Sequence, residues 1–473
     1  MSYFKYLERV AVGVVLAGAA GLAACNEQNL LNVPTPDVVL PKDINGAAAL
    51  PAAYAAAIGD FQVAFAGGYG SGLDNNEGIA QMSGLLADEL VNAETFNTRI
   101  EVDRRATKVI NGTTLQTFQD LQRARATTDL VAARFRQFAP TDPLGPEVQA
   151  LAGFSYVLIA EAYCNGVPTS RINDEGKFEF GAPQSGQQIL TTAVAKFDSA
   201  IVAAGAAGAT TALNLARIGK GRALLDLNQP AQAAAAVSAV PSSFNYSIQH
   251  SENTGRQNNA IFAFNYLEGR FAVGDREGTN GLPFASLNDP RLPIIDAGTG
   301  FDGETELFLT TKYPERKAPT PLALGVEARL IEAEAALRAN DLNTFRAKLN
   351  DARANALTYT EDGAPNSQPL DSPPPIATVP STAAAQQNLL FQERAIDLFL
   401  TSHRLGDLRR LIWQYNRAPD AVFPVGPYEP DNTSKAGTNF GTDVNFPIPR
   451  EEENNPLFLN SGAACTNRSA GIS

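Results

Sequence analysis

Residues 392–410 read QERAIDLFLTSHRLGDLRR, and their pattern of charge and apolar residues decides the fold. Arg394 and Asp397 stand three apart, as do Arg404 and Asp407, and Asp407 and Arg410. Residues at that spacing meet on one helix face. Leucine, isoleucine and phenylalanine crowd them on nearly every side, so several of these charges must be buried and paired. Charges buried this way specify packing. Arg404 is therefore read as a clamp between a helix and a loop, with Glu393, Arg394, Asp407, Arg409 and Arg410 in the same structural motif. The surrounding composition predicts one helix over 382–415.

Working outward, most of the chain has helical texture. Spans rich in Ala, Leu, Arg, Glu and Gln lose little entropy in a helix. They predict helices over 47–57, 115–138, 147–163, 187–204, 213–227, 231–240, 323–339 and 342–356. Asp341 is placed to cap the helix after it, and Pro230 suits a first helical turn. Residues 253–320 differ, with recurring Gly and Pro and β-prone runs such as Ile261-Phe262-Ala263-Phe264, and predict loops with some strand. Pro365, Pro369 and Pro373-Pro374-Pro375 mark 361–381 as a loop excursion. Residues 216–228 (ARIGKGRALLDLN) and 328–340 (ARLIEAEAALRAN) share Ala, Arg, Ala, Leu and Asn at matching places. Each precedes a second Ala-rich helix, as in tetratricopeptide-like hairpins. The alternative is chance likeness between Ala-rich helices.

The N-terminus carries Lys5 and Arg9, an apolar run too short to span a bilayer comfortably, and then Leu22-Ala23-Ala24-Cys25. This resembles the bacterial lipoprotein cleavage signal, in which the cysteine becomes the lipidated first residue. The reading is a signal peptide at 1–24, an anchor and polar tether at 25–46 with lipid on Cys25, and a single domain at 47–473. Cleavage removes two positive charges and one negative, taking the net charge from −13 to −14. Such an acidic chain is a poor nucleic-acid ligand, because phosphate binding needs Lys and Arg. No second hydrophobic membrane segment is read. Cys164 and Cys465 remain, either as a disulfide or with Cys164 as a buried small residue.

Several matches in order resemble the SusD/RagB family of nutrient-binding outer-membrane lipoproteins. The stretch 392–410 is similar to its ER…EL…EGxRxxDLRR helix, with Thr401-Ser402 in place of the usual EG and Leu405 in place of an aromatic. Asn445-Phe446-Pro447-Ile448-Pro449-Arg450-Glu451 with Asn454-Asn455-Pro456 is similar to the FPIPxxE…NP ending. Asp289-Pro290-Arg291-Leu292, Asn165-Gly166-Val167-Pro168 and 328–335 add weaker matches. The resemblance implies a mainly α, tetratricopeptide-like fold with an irregular, partly β ligand-binding segment. It implies a protein on the outer membrane's outer face that binds a glycan or other nutrient. It also implies delivery of that nutrient to a TonB-dependent β-barrel transporter of the SusC kind, without catalysis. The alternative is a surface-anchored tetratricopeptide-like scaffold with no nutrient ligand, and a lipoprotein glycosidase is a third class.

Catalytic patterns are missing from the sequence: it holds no GxSxG and no HExxH. His250 and His403 stand apart, so no metal ligand set is read. Asp88-Glu89 and Glu451 to Glu453 are read as solvated acids and not as a glycosidase pair. No cofactor is expected; Asp302 and Glu304 permit a structural Ca²⁺ without requiring one. Candidate stacking platforms for a sugar, all in loop-like surroundings, are Tyr69, Phe96, Tyr266, Phe271, Phe301 and Tyr313. Trp413, the only tryptophan, is read as core.

Overall fold

Helices form where the Ala-rich spans lie, and their ends are set by local chemistry. The computed structural model describes residues 41–70, 76–361, 363, 370–429, 432, 435, 437–459, 461 and 465. The signal peptide, Cys25 and the tether up to residue 40 lie outside them, as do Pro365 and Pro369. Among the described residues the longer helices are α1 (Leu50–Ala66), α2 (Ile79–Leu86), α3 (Asn97–Asp103), α4 (Gly112–Phe138), α5 (Leu144–Ala162), α6 (Gly186–Ala207), α7 (Thr210–Asp226), α8 (Pro230–Val237), α9 (Gly325–Arg338), α10 (Leu342–Ala354), α11 (Ala383–Asp397) and α12 (Arg404–Trp413). Asp341 accepts from the Thr344 N–H and Pro230 occupies the first turn of α8, both as the sequence predicts. Helix α2 was missed because all of its residues are buried, leaving no polar face to reveal a period.

Helices α1 and α4, α5 and α6, α7 and α8, and α9 and α10 pack in pairs, and each pair packs on the next. This is the tetratricopeptide-like stack. Phe197 of α6 enters it between α5 and α7. A Cβ on Gly153 would come within 2.6 Å of that ring, and one on Gly219 within 2.3 Å. The two repeated segments are the first helices of consecutive hairpins. Their shared Asn228 and Asn340 both adopt left-handed backbone just past the helix end, with φ of 57° and 58°. Residues 47–66 and 186–207 are long and apolar enough to cross a membrane. Contrary to the sequence reading, such segments exist; both are built into the stack by one face.

The predicted helix over 382–415 is two helices. Between them Leu400 and Ser402 take left-handed backbone, with φ of 52° and 62°. Distant side chains satisfy the backbone groups freed by the break. The Glu89 carboxylate accepts from Leu400 N at 2.8 Å, Tyr313 donates to Leu400 O, Lys312 to Phe399 O, and Arg222 to Ser402 O. The charge pairing differs too. Arg394 binds Asp407 at 2.7 Å and Asp397 meets Arg291 at 3.2 Å, so the expected Arg394–Asp397 pair is absent. Arg404 reaches past Asp407 to hold Asp88 with two bonds of 2.6 Å. Asp407 and Arg410 do pair, at 2.7 Å. Arg410 also binds Glu334, Arg409 donates to the carbonyls of Ala160 and Glu161, and Glu393 takes Arg291 and Arg353. Burial pushes the Asp407 carboxyl up, but Arg394 and Arg410 more than offset it and hold it below the usual carboxylate range.

Asp88 and Glu89 are fully buried, not solvated as the sequence reading has them, because the break between α11 and α12 recruits both. The Phe446 strap runs beside Tyr163, with Phe446 N donating to Ala162 O at 2.8 Å. Cys164 and Cys465 are joined in a disulfide with Cα atoms 5.3 Å apart. Residues 374–377 lie along α10, held by Arg346, Asn350 and Arg353. Strands are short antiparallel ribbons: β1 (Leu90–Asn92) with β3 (Phe271–Val273), β2 (Asn245–Ile248) with β6 (Thr320–Leu324), and β4 (Ile294–Thr299) with β5 (Glu306–Thr310). The β-prone run 261–264 is helical instead. Asn259 caps it, accepting from Ile261 N and Phe262 N, and a wider turn follows over Ala263–Leu267.

Candidate functional site

The site is built on the β1–β3 ribbon. Leu90 pairs with Val273 and Asn92 with Phe271, and just beyond the ribbon Ala93 N donates to Arg270 O at 2.8 Å. The loop after β4 folds back across it, Phe301 N donating to Gly269 O and Asp302 N to Ala93 O. Phe96 and Phe301 thereby reach the surface on either side of Arg270. Both rings are about half exposed, at 52% and 54%. The guanidinium carbon lies 4.0 Å from the Phe301 ring centre and 5.3 Å from that of Phe96.

Carboxylates hold Arg270 in that position. It donates to Glu94 at 2.6 Å and to Glu268, and Glu94 is itself buried and takes Arg99 at 2.5 Å. Arg99 lies 5.4 Å from the Phe96 ring centre and 4.8 Å from that of Phe264. Tyr69 joins the cluster through a hydrogen bond from its hydroxyl to Glu268; burial and that bond raise its pKa. A fixed cation beside two half-exposed rings offers aromatic surface for stacking, with charged groups next to it to orient polar substituents.

Next to the rings a cleft of about 460 Å³ opens between Val91, residues 275–278, residues 304–306 with Phe308, and Pro427, Glu429, Asn432 and Phe440. That volume falls in the range of small-molecule sites. Asp275, Glu277, Glu304, Glu306 and Glu429 line it against Arg276, with Phe308 and Phe440 as its aromatic walls. Two of its lining residues, Arg276 and Glu429, adopt left-handed backbone, with φ of 59° and 43°. Such strain in non-glycine residues concentrates at functional sites. Beneath the cleft the Asp103 carboxyl accepts from Asn92 N and the Tyr428 hydroxyl, each at 2.8 Å. Burial, then the nearby Glu429, pushes it up to about 7. Burial and the same acids also raise Glu277.

Of the expected platforms, the fold brings Phe96, Phe301 and Tyr69 together around Arg270 and Glu268. Tyr266 is half-buried and stacks on Phe262, with centroids 5.4 Å apart. Phe271 and Tyr313 are core residues, contrary to the expectation. Phe271 lies inside the ribbon, and the Tyr313 hydroxyl is spent on Leu400 O. Arg270, Glu94 and Glu268 escaped the sequence reading because they stand in separate segments with no motif in common. Asp302 and Glu304 do not form an open cation loop. The Asp302 carboxylate accepts from Glu304 N, Thr305 N and the Thr305 hydroxyl, and Lys435 pairs with it at 2.9 Å. Among the described residues no three His, Cys, Asp or Glu side chains are grouped to hold a metal ion.

Solved structures share this arrangement of helical stack and irregular segments. A SusD/RagB family protein from Bacteroides thetaiotaomicron superposes with a TM-score of 0.58, covering 92% of this chain and 98% of its own at 14% identity. The fold is SusD-like. A SusD-like carbohydrate-binding protein from Bacteroides fragilis gives a TM-score of 0.59 at 16% identity, covering 88% of this chain and 99% of its own. Surface glycan-binding protein A from Bacteroides uniformis gives 0.58 at 12%, covering 87% and 98%. No family model matches the sequence, and no curated protein is significantly similar to it. At these identities the likeness is one of fold.

Proposed function

We propose that the protein is a cell-surface lipoprotein, anchored through Cys25 in the outer membrane, that binds a glycan and passes it to a TonB-dependent β-barrel transporter without breaking a bond. The observation that carries the reading is the exposed Phe96–Arg270–Phe301 sandwich beside an acid-lined cleft, on a SusD-like fold. Sugar rings stack their apolar faces on aromatic rings, and their hydroxyls donate to carboxylates such as those of Asp275 and Glu306. Five carboxyl side chains in the cleft against one guanidinium favour a neutral glycan over a uronate or a sulfated one.

The test is a glycan-array screen with the soluble protein, followed by calorimetric titration of any hit. Phe96→Ala and Phe301→Ala should each weaken binding by about tenfold, equivalent to about 1.4 kcal/mol. Their exposure predicts an unchanged melting temperature. Undiminished affinity in the double variant would remove the sandwich from the site. For delivery, recovery of the lipidated protein in mild detergent should bring a large β-barrel in fixed proportion. Its absence, with the barrel plainly present in the same membranes, would favour a docking scaffold instead.

A further inference from the structure

A second set of exposed apolar side chains lies along α4. The chain between α5 and α6 is a hairpin in which Arg171–Ile172 pairs with Phe178–Glu179. Phe178 and Phe180 stand on the same side of it. Their centroids are 5.0 Å apart, and they are 58% and 44% exposed. The hairpin follows α4 toward its C-terminal end: Gln122 donates to Pro168 O, Arg125 to Ser170 O, and Arg134 to Asp174 at 2.5 Å. From residue 122 to 134 the helix rises about 18 Å. Asn455 donates to Gly181 O at 2.8 Å, which sets the turn Pro456–Leu459 beside the hairpin with Leu457 and Leu459 exposed. Arg450 N donates to Val109 O at 3.0 Å, bringing exposed Val109 and Ile110 to the other end. Scattered apolar residues need no explanation, but a contacting pair of exposed phenylalanines with two exposed leucines on the neighbouring turn does.

The position of the strip indicates what covers it. The Arg134 guanidinium that holds Asp174 also donates to Pro41 O at 3.1 Å. The hairpin turn therefore sits where the chain continues toward Cys25, sixteen positions earlier. That length of chain reaches at most about 58 Å when fully extended. A lipid on Cys25 thus holds Pro41, and the hairpin turn beside it, within about 58 Å of the bilayer. We infer that the Phe178–Phe180 hairpin and the Leu457–Leu459 turn enter the lipid surface as a second attachment, which sets the orientation of the body on the membrane. Phenylalanines flanked by the exposed ion pairs Arg171–Glu179 and Lys177–Glu175 suit the boundary between acyl chains and zwitterionic headgroups. The inference rests on the lipoprotein reading, because the anchor supplies the proximity.

The experiment reconstitutes the lipidated full-length protein in phosphatidylcholine vesicles containing brominated acyl chains. Phe178→Trp, and separately Leu457→Trp, introduce an indole on the strip, and Val202→Trp introduces one at an exposed site on α6 as a control. Emission from Trp413 in the unsubstituted protein is subtracted. At least twofold quenching on the strip with none at position 202 is expected. No quenching at either strip position, with acyl chains confirmed on Cys25 by mass, would overturn the inference and leave the anchor standing. Equal quenching at position 202 would also overturn it, as contact without orientation. An unacylated Cys25 would remove the lipoprotein reading and this inference with it. If Phe178→Ser/Phe180→Ser instead lowers recovery of a β-barrel while the indoles stay unquenched, the strip docks protein and the lipid assignment fails.

Discussion

Removing the guanidinium of Arg404 tests whether the buried charges around the α11–α12 break act as a unit. In Arg404→Met the Asp88 carboxylate, fully buried, keeps only the Leu282 N–H at 3.0 Å in place of two charged bonds of 2.6 Å. Charges about 4 Å apart attract by about 4 kcal/mol at an effective dielectric constant near 20. Breaking one side of a buried pair costs about 3–5 kcal/mol, chiefly because the other charge is left unpaired. Arg404→Met and Asp88→Leu should each lose that much. The double variant has no stranded charge. It should cost only the Leu282 N–H left without an acceptor, about 1–3 kcal/mol, and so be more stable than either single variant by about 2 kcal/mol. Urea unfolding would be followed by Trp413 emission, nine residues from Arg404, and by far-UV ellipticity, with coincident transitions required before free energies are compared. A double variant no more stable than the worse single one would refute the argument, since the stranded charge would not then be the source of the loss.

Other consequences follow from separate parts of the structure. Because Asp103 is raised to about 7 when folded, it binds its proton more tightly folded than unfolded. Its contribution to stability is thus greatest near pH 4 and is lost as pH rises toward 7; Asp103→Asn should flatten that part of the urea-midpoint profile, and parallel profiles would refute it. Asn340→Ala should cost about 1 kcal/mol in a thermal melt, because φ is 58° there, whereas Asn340→Gly should be near neutral. Equal melting temperatures would show that the repeat's asparagine is not needed for its backbone. Cys164 and Cys465, 301 residues apart in sequence, should add no alkyl label when the protein is denatured without reductant. Cys465→Ser should lower stability by up to about 5 kcal/mol. Two labelled thiols would rule the bridge out.

The sequence alone determined those features that depend on near neighbours. Alanine-rich spans, with a cap at Asp341 and a first-turn proline at Pro230, commit to helix, and the repeated Ala…Asn pattern announces successive hairpins. The crowding of leucine around Arg394, Arg404 and Asp407 already required buried, paired charges. Which partner each charge takes was a tertiary matter. Asp88 is 316 positions from Arg404, and no local period can encode a contact at that distance. The same reason explains the helix break at Leu400, whose backbone groups are satisfied by Glu89 and Tyr313 from elsewhere in the chain. It also explains the aromatics. Phe96, Phe271 and Phe301 occupy similar loop-like sequence, yet only the pairing of β1 with β3 buries Phe271 and leaves Phe96 and Phe301 in the open around Arg270. Short-range chemistry chose the elements; the burial of particular side chains between distant segments decided the site.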